Sequence, residues 1–299
     1  RIWNFSTGGF PIIDIMSDEV RKGSNAGDAI WLNVYDNFTF DQSATEFESW
    51  WATLYQGIRR ANLIVEKVPA LADLDDDLKT RYLAEARFLR AYFYFELVKA
   101  FGDVPKVLSI TPETDLGRSP LDEIYNEIII PDMEFGILNL PFRDEYSLND
   151  MGRISKGTCS GMLAKVYLYR KDYVNAEKYA LEVINKKKHS LDPDFANALS
   201  VEGEFGTGSV FEVGAAAEGF NEGGNQYANT ISVRGVPNLG WGFGRPTYEL
   251  IQEFGSDPRA DASILFVGEI LDGIEIEGDI STPDTTYTDE TKTKILEVE

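Results

Sequence analysis

The chain has 299 residues, with 28 Lys plus Arg against 50 Asp plus Glu, a formal charge of −22. That charge repels phosphate backbones and anionic lipid surfaces, so it argues against a nucleic-acid partner and for neutral or cationic ligands. One cysteine (Cys159) and one histidine (His189) leave no intramolecular disulfide, no Cys/His metal cluster and no Ser-His or Cys-His catalytic pair.

Hydrophobic residues make up 43%, enough for a sizeable core. No apolar run reaches the roughly 18 residues of a membrane span. The sequence opens at Arg1-Ile2-Trp3 with no Met and no signal peptide, so a longer gene product is expected.

Residues 1–43 are mixed and aromatic and read as a loop segment packed on a scaffold. Helical periodicity begins at about 44. Phe47, Trp51, Leu54, Ile58, Asn62, Val65 and Val68 recur at three and four, and Pro69 ends the run. Trp50 and Trp51 cannot share one face, so one of them is expected at the periphery. Asp75-Asp76-Asp77 supplies an N-cap and dipole-friendly acids for a second helix, 77–101, rather than a metal site. Its expected stripe is Leu78, Tyr82, Ala86, Leu89, Phe93, Leu97 and Phe101, with Gly102 as the C′ residue. Tyr92 to Phe95 are four aromatics pointing all round this helix, which predicts burial on most sides.

Ser119-Pro120 reads as the cap and first residue of a third helix, which Pro131 should kink or divide and Pro141 should close. A fourth helix is predicted over about 155–170. Gly157, Ser160, Gly161 and Ala164 give it a face that a neighbour can approach closely, and Cys159 on that face reads as a small buried apolar group. Asp172 caps a fifth helix, which ends near Lys186-Lys187-Lys188. His189 then reads as a cation favoured at a helix end. Leu163-Ala164, Tyr167 and Ala176 fit the middle of the tetratricopeptide spacing. The fold class is therefore mainly α: stacked tetratricopeptide-like helical hairpins over 44–199.

From Gly203 to Gly244 there are eleven glycines, which predicts long loops. Ser209–Val213 alternates like a strand. A short helix is predicted over 247–254 after Pro246, with Asp257-Pro258-Arg259 as its exit turn. The tail, 267–299, is acidic and Thr-rich with alternating Ile and Glu over 270–278, and reads as either an edge hairpin or a partly mobile segment. Residues 200–299 thus form a loop-rich, partly β lobe suited to ligand binding. No zincin, nucleophile-elbow or Walker motif is present. Asn37-Phe38-Thr39 matches a glycosylation sequon, a pattern common by chance.

Several of these segments together resemble the SusD/RagB family of outer-membrane nutrient-binding lipoproteins. The clearest is Ala84-Glu-Ala-Arg-Phe-Leu-Arg-Ala-Tyr-Phe-Tyr-Phe95, closing in Phe101-Gly-Asp-Val-Pro105. Trp51, Tyr55, Ile58 and Ala61-Asn62 match the preceding helix. Arg153-Ile-Ser-Lys156, Ala164-Lys-Val-Tyr-Leu168, and Pro246-Thr247 with Leu250, Phe254 and Asp257-Pro258-Arg259 match later landmarks. The family's lipidated cysteine and final helical segment are not in this sequence, so a truncated second lobe is expected.

The resemblance implies a non-catalytic surface binder of a glycan or other nutrient. It also implies an N-terminal lipid anchor in the outer membrane and a SusC-like TonB-dependent transporter as partner, with no cofactor and no metal. A sugar presents apolar C–H faces and hydroxyl edges, which call for aromatic platforms beside polar side chains. Two loop clusters offer both: Asp28, Trp31, Asn33 and Tyr35, following Ser17-Asp18-Glu19, and Tyr227, Trp241, Phe243 and Arg245 among the glycines. Two other readings compete with this one. Fifty carboxylates could supply a glycosidase acid pair, and stacked hairpins could be a pure protein-interaction scaffold.

Overall fold

The computed structural model describes residue 5 and residues 9–186, 188–214, 226–271 and 273–278. Trp3, Lys187 and the residues after 278 lie outside them. The first helices are α1 (Asn33–Asp36), α2 (Thr45–Lys67) and α3 (Asp76–Phe101). Then come α4 (Leu121–Ile124), α5 (Ile130–Asn139), α6 (Lys156–Tyr169) and α7 (Tyr173–Asn185). The last are α8 (Gln226–Ile231), α9 (Tyr248–Phe254) and α10 (Ala260–Ser263). The strands are β1 (Val20–Gly23), β2 (Phe243–Pro246), β3 (Ile270–Leu271) and β4 (Ile274–Glu275). Residues 1–50 and 215–299 make one compact unit, and 51–214 make the other.

The 51–214 unit is a stack of helices, mainly α as the sequence predicts. Local rules set its ends. The Asp75 carboxylate accepts from the N–H groups of Asp77 and Leu78, which satisfies two orphan donors of α3. Gly102 ends α3 with a φ of 69°. Ser155 and Thr158 form a reciprocal capping box at the start of α6. Asp172 caps α7 by accepting from the Asn175 N–H.

Four expectations need correction. The buried residues of α3 are Ala84, Ala86, Phe88, Arg90, Ala91, Tyr94, Phe95, Leu97 and Val98, so Ala86 and Leu97 of the expected stripe are buried, whereas Leu89 and Phe93 are only half-buried. This helix meets neighbours on several sides, so no single stripe describes it. Pro131, expected to kink or divide the third helix, disturbs its hydrogen-bond pattern without ending it. Lacking an N–H, it cannot satisfy the carbonyl of Glu127, and the chain passes through a π turn over Tyr125–Ile129 before continuing as α5. The cap of α4 comes not from Ser119 but from Asp103, whose carboxylate accepts from the Leu121 N–H at 2.8 Å. Ser209–Val213 forms no strand. It lies against the start of α6 as an irregular strap. Thr158 donates to the Val210 carbonyl at 2.7 Å, and the Arg143 guanidinium donates to the carbonyls of Gly206 and Ser209.

His189 is a fifth correction. Both ring nitrogens are buried without a partner that meets full hydrogen-bond geometry. Burial first, then the Arg143 guanidinium, pushes its pKa down, against weaker opposing effects of the Thr207 and Ser209 carbonyls and Asp144. The ring lies on Gly157, where a Cβ would come within 2.6 Å of Nε2. It is a neutral packing group and not a helix-end cation. Cys159, by contrast, is the buried small group the sequence predicts. Its sulfur sits against Gly136 of α5, where an added Cβ would stand 2.4 Å away.

A polar spine joins the family-like helix to its neighbours. Asp132, in the first turn of α5, accepts from Arg87 Nε at 2.6 Å, Arg90 Nε at 2.7 Å and Arg90 Nη2 at 3.0 Å. Arg90 also donates to Asn62 Oδ1 of α2, and Asn62 donates to the Val107 carbonyl. Thus the Arg-x-x-Arg of α3 serves burial and not a ligand.

Candidate functional site

All eight predicted site residues belong to the unit formed by 1–50 and 215–299. Its framework is the antiparallel pair of β1 and β2, with Val20 opposite Pro246, Arg21 opposite Arg245 and Gly23 opposite Phe243. Beneath lies a core of Phe10, Ile15, Leu32, Tyr35 and Phe243.

The structure brings four of the eight into one aromatic cluster, but in two different roles. Trp31 and Trp241 are 36% and 38% exposed. Each meets the same Phe5 ring edge-to-face, at 5.7 Å and 5.4 Å between centroids. Phe5 thus sits between the two indoles, and their outer surfaces remain open. Tyr35 and Phe243 are 1% and 6% exposed and lie under this platform. Tyr35 meets Trp31 at 6.4 Å and Phe243 meets Phe5 at 4.9 Å. These two are corrected from ligand contacts to support, because a side chain with no free face cannot stack on a ligand. The Tyr35 hydroxyl donates to the Glu46 carboxylate; burial first, and then that bond, raise its pKa.

The remaining four frame the loops. Asp28 accepts from Ser24 Oγ at 2.9 Å and pairs with Arg234, so one of its oxygens staples the loop that leads to Trp31. Lys22, nearly fully buried, donates to the carbonyls of Asn25 and Asp28 and closes the same loop. Asn33 opens α1 and is half-buried. Tyr227 on α8 is partly exposed; burial raises its pKa, with further pushes from Asp14 and Glu19. Arg245 lays its aliphatic stem over Gly23, where a Cβ would meet its Cγ at 2.7 Å. The Trp241 N–H donates to the Asn229 carbonyl, which fixes the glycine loop to α8.

Sequence reasoning missed Phe5, the shared wedge, and it gave Thr247 no role. Thr247 is 2% exposed, and three of its hydrogen bonds build a clamp. Its hydroxyl accepts from the Leu250 N–H as the N-cap of α9, and donates to the Asp18 carbonyl at 2.9 Å. Its own N–H donates to the Glu19 carbonyl at 2.8 Å. The Ser17-Asp18-Glu19 loop is therefore clamped to the head of α9. Between them opens a groove of about 640 Å³, lined by Met16, Asp18, Glu19, Phe38, Glu249 and Glu253 among others. The only sequence signal for the clamp is the cap spacing Thr247-x-x-Leu250.

The family model described as starch-binding, associating with the outer membrane, and of SusD-like type, matches residues 14–168. That is just over half of the chain. The chain belongs to the SusD-like family. A curated relative, SusD-like protein P2 of Formosa agariphila, is 32% identical over 169 residues, which is 54% of this chain and 32% of the relative. Among solved structures, a laminarin binding SusD-like protein superposes with a TM-score of 0.78 at 26% identity, over 94% of this chain and 69% of that one. Surface glycan-binding protein A from Bacteroides uniformis superposes at 0.75 and 26% identity, over 90% of this chain and 60% of that one. The matched stretch is thus about a third of the curated relative's length. The tetratricopeptide-like helical stack is the fold shared with these SusD-like structures. Among the described residues, no cluster of His, Cys, Asp or Glu is arranged to hold a metal, and no helix is long and apolar enough to cross a membrane.

Proposed function

We propose that this SusD-like chain binds a neutral glycan at a cell surface without chemically altering it. The observation that carries the reading is the pair of half-exposed indoles, Trp31 and Trp241, held on one Phe5 wedge above a packed core. Such a pair offers two fixed aromatic faces at little entropic cost, because the rings below lock their orientation. The laminarin-binding and glycan-binding neighbours support a sugar ligand, and the family description supports an outer-membrane location. In the same reading the loop-built lobe takes the glycan. The helical lobe faces a SusC-like TonB-dependent transporter, and a lipid anchor holds the mature protein at the membrane.

The test is affinity electrophoresis and calorimetry against a panel of neutral polysaccharides with laminarin at its head. Trp31→Ala and Trp241→Ala should each weaken binding of the best panel member at least about tenfold while leaving the circular dichroism spectrum unchanged. Unchanged affinity in both variants would move the site elsewhere. Release of reducing ends from that polysaccharide would favour the glycosidase reading instead. Native-membrane pull-downs with the full-length protein test the transporter.

A further inference from the structure

The two indoles stand on separate loops of one unit, and a single side chain joins those loops. Arg234 lies on the loop that leads to Trp241 and reaches across to the loop that precedes Trp31. Its Nη1 donates to Ser24 Oγ at 2.9 Å and to the Asp28 carboxylate, and Ser24 Oγ donates to the same carboxylate at 2.9 Å. The three groups close a ring around Ser24, which is buried. The Asp28 backbone is held as well. Its N–H donates to the Asn25 carbonyl at 3.0 Å, and its carbonyl accepts from the buried Lys22 amine at 2.7 Å. Trp31 follows at once, in the turn Ile30–Leu32. On the other side the Arg234 stem packs on the residue after Trp241, since a Cβ on Gly242 would come within 2.9 Å of the Arg234 Cβ. The Ser24 N–H donates to the Gly242 carbonyl at 2.5 Å, and a Cβ on Gly23 would stand 2.7 Å from that same oxygen. The Gly242 N–H returns to the Ser232 carbonyl at 2.9 Å, which closes the second loop on itself beside Arg234.

We infer that Arg234 is a positioning residue for the sugar platform: its bridge to Ser24 and Asp28 locks the two loops together and so fixes the separation and tilt of Trp31 and Trp241. The Phe5 wedge supports both rings from below, but apolar contact is non-directional. Charge-assisted hydrogen bonds set both distance and direction. Two rings at a set separation stack on two sugar units only where the linkage between those units spaces them to match. A pair free to shift accepts several linkages and loses more freedom on binding. Arg234 thus governs which polymer binds as well as how tightly. The inference rests on the glycan-binding reading and adds the residue that gives the site its selectivity.

Fluorine NMR of protein labelled with 5-fluorotryptophan tests the bridge without any sugar. Trp31→Phe and Trp241→Phe assign the two resonances. In Arg234→Gln both should shift or broaden together, while those of Trp50 and Trp51 on α2 stay in place. The control Arg259→Gln removes the same charge from an ion pair of the same unit, with Asp257, and should move neither indole. Calorimetry against the neutral polysaccharide panel then reads the site. Arg234→Gln should weaken the best panel member at least about threefold and narrow its lead over the second-best. In a Trp31→Ala background the same substitution should cost less than about 1.5-fold, because no second ring is left to align. Asp28→Asn should give the same signature, and Asp28→Asn/Arg234→Gln should be no weaker than the weaker single variant. Unmoved indole resonances in folded Arg234→Gln, equal movement in the control, or an affinity loss undiminished without Trp31 overturns the positioning role. If Arg234→Gln does not fold, Ser24→Ala, which deletes only the hydroxyl of the ring, carries the same test. Failure of the folded wild type to bind any polysaccharide of the panel is a different result: it overturns the glycan reading, and the fluorine spectra still decide the bridge.

Discussion

Asp132→Asn is expected to be among the most damaging single substitutions in the helical unit. Asp132 is 2% exposed and receives three charged N–H bonds from Arg87 and Arg90. Arg87 can turn toward water, since its side chain is 27% exposed and its guanidinium also lies 4.1 Å from the Phe135 ring centre. Arg90 cannot, because it is sealed between α2, α3 and α5. The asparagine keeps one acceptor but removes the countercharge, leaving a buried guanidinium uncompensated. Breaking such a pair costs about 3–5 kcal/mol. In a unit of this size about 1 kcal/mol moves the midpoint by roughly 2–4 °C, so a loss of about 3 kcal/mol predicts a fall of roughly 6–12 °C. Thermal and guanidinium unfolding followed at 222 nm read this directly, because helices dominate that signal. The double variant Arg90→Met/Asp132→Leu should be less destabilised than Asp132→Asn alone, since apolar replacement removes both desolvation costs. A midpoint shift under about 2 °C for Asp132→Asn, or a double variant worse than the single, would refute the claim that the pair is electrostatically closed.

Three further outcomes are expected. Gly136→Ala drives a methyl group into Cys159 Sγ and should cost about 1–3 kcal/mol, largely recovered in Gly136→Ala/Cys159→Ala; unfolding midpoints of the three proteins check this. Thr247→Val removes the hydroxyl of the clamp and should cost about 0.5–2 kcal/mol while speeding amide exchange at residues 17–19 and 250, with Thr247→Ser restoring both. His189 has a folded pKa below its ordinary 6.5, so the folded protein binds the proton less well than the unfolded chain. Its contribution is therefore fully present above 6.5 and is lost as the pH falls through that value toward the lower folded one. His189→Gln should flatten the slope of stability against pH in that interval, as measured by urea midpoints at closely spaced pH values.

What the sequence made legible was what short-range chemistry decides. The caps Asp75 and Asp172 act over two or three residues, so their spacing alone located the starts of α3 and α7. Of the two readings that the alternation over 270–278 left open, the hairpin is seen where Ile270 pairs with Glu275. The face of α3 was not legible, because a helix with neighbours on several sides has no polar side to reveal its register. The site divided along the same line. Residue type and loop context singled out Trp31 and Trp241, but the same criteria also chose Tyr35 and Phe243, which differ from them only in depth. Depth depends on the pairing of Gly23 with Phe243, 220 residues apart, and no local pattern carries that information. The Ser209–Val213 alternation misled for a related reason: its partners are the side chains of Thr158 and Arg143 and not another strand.

The β1–β2 pairing has a consequence for the order in which the molecule can be made. The helical unit is one uninterrupted stretch of chain, so it can fold as soon as it has emerged, through contacts of short sequence separation. The other unit is split by that stretch. Val20 must wait for Pro246, and the Asp18 carbonyl for Thr247, before either wall of the groove exists. During synthesis Phe10, Ile15 and Leu32 stay exposed until some two hundred more residues have been added. A unit assembled from segments on either side of the helical stretch closes a long loop late. It is also the part most open to capture by chaperones or by other nascent chains.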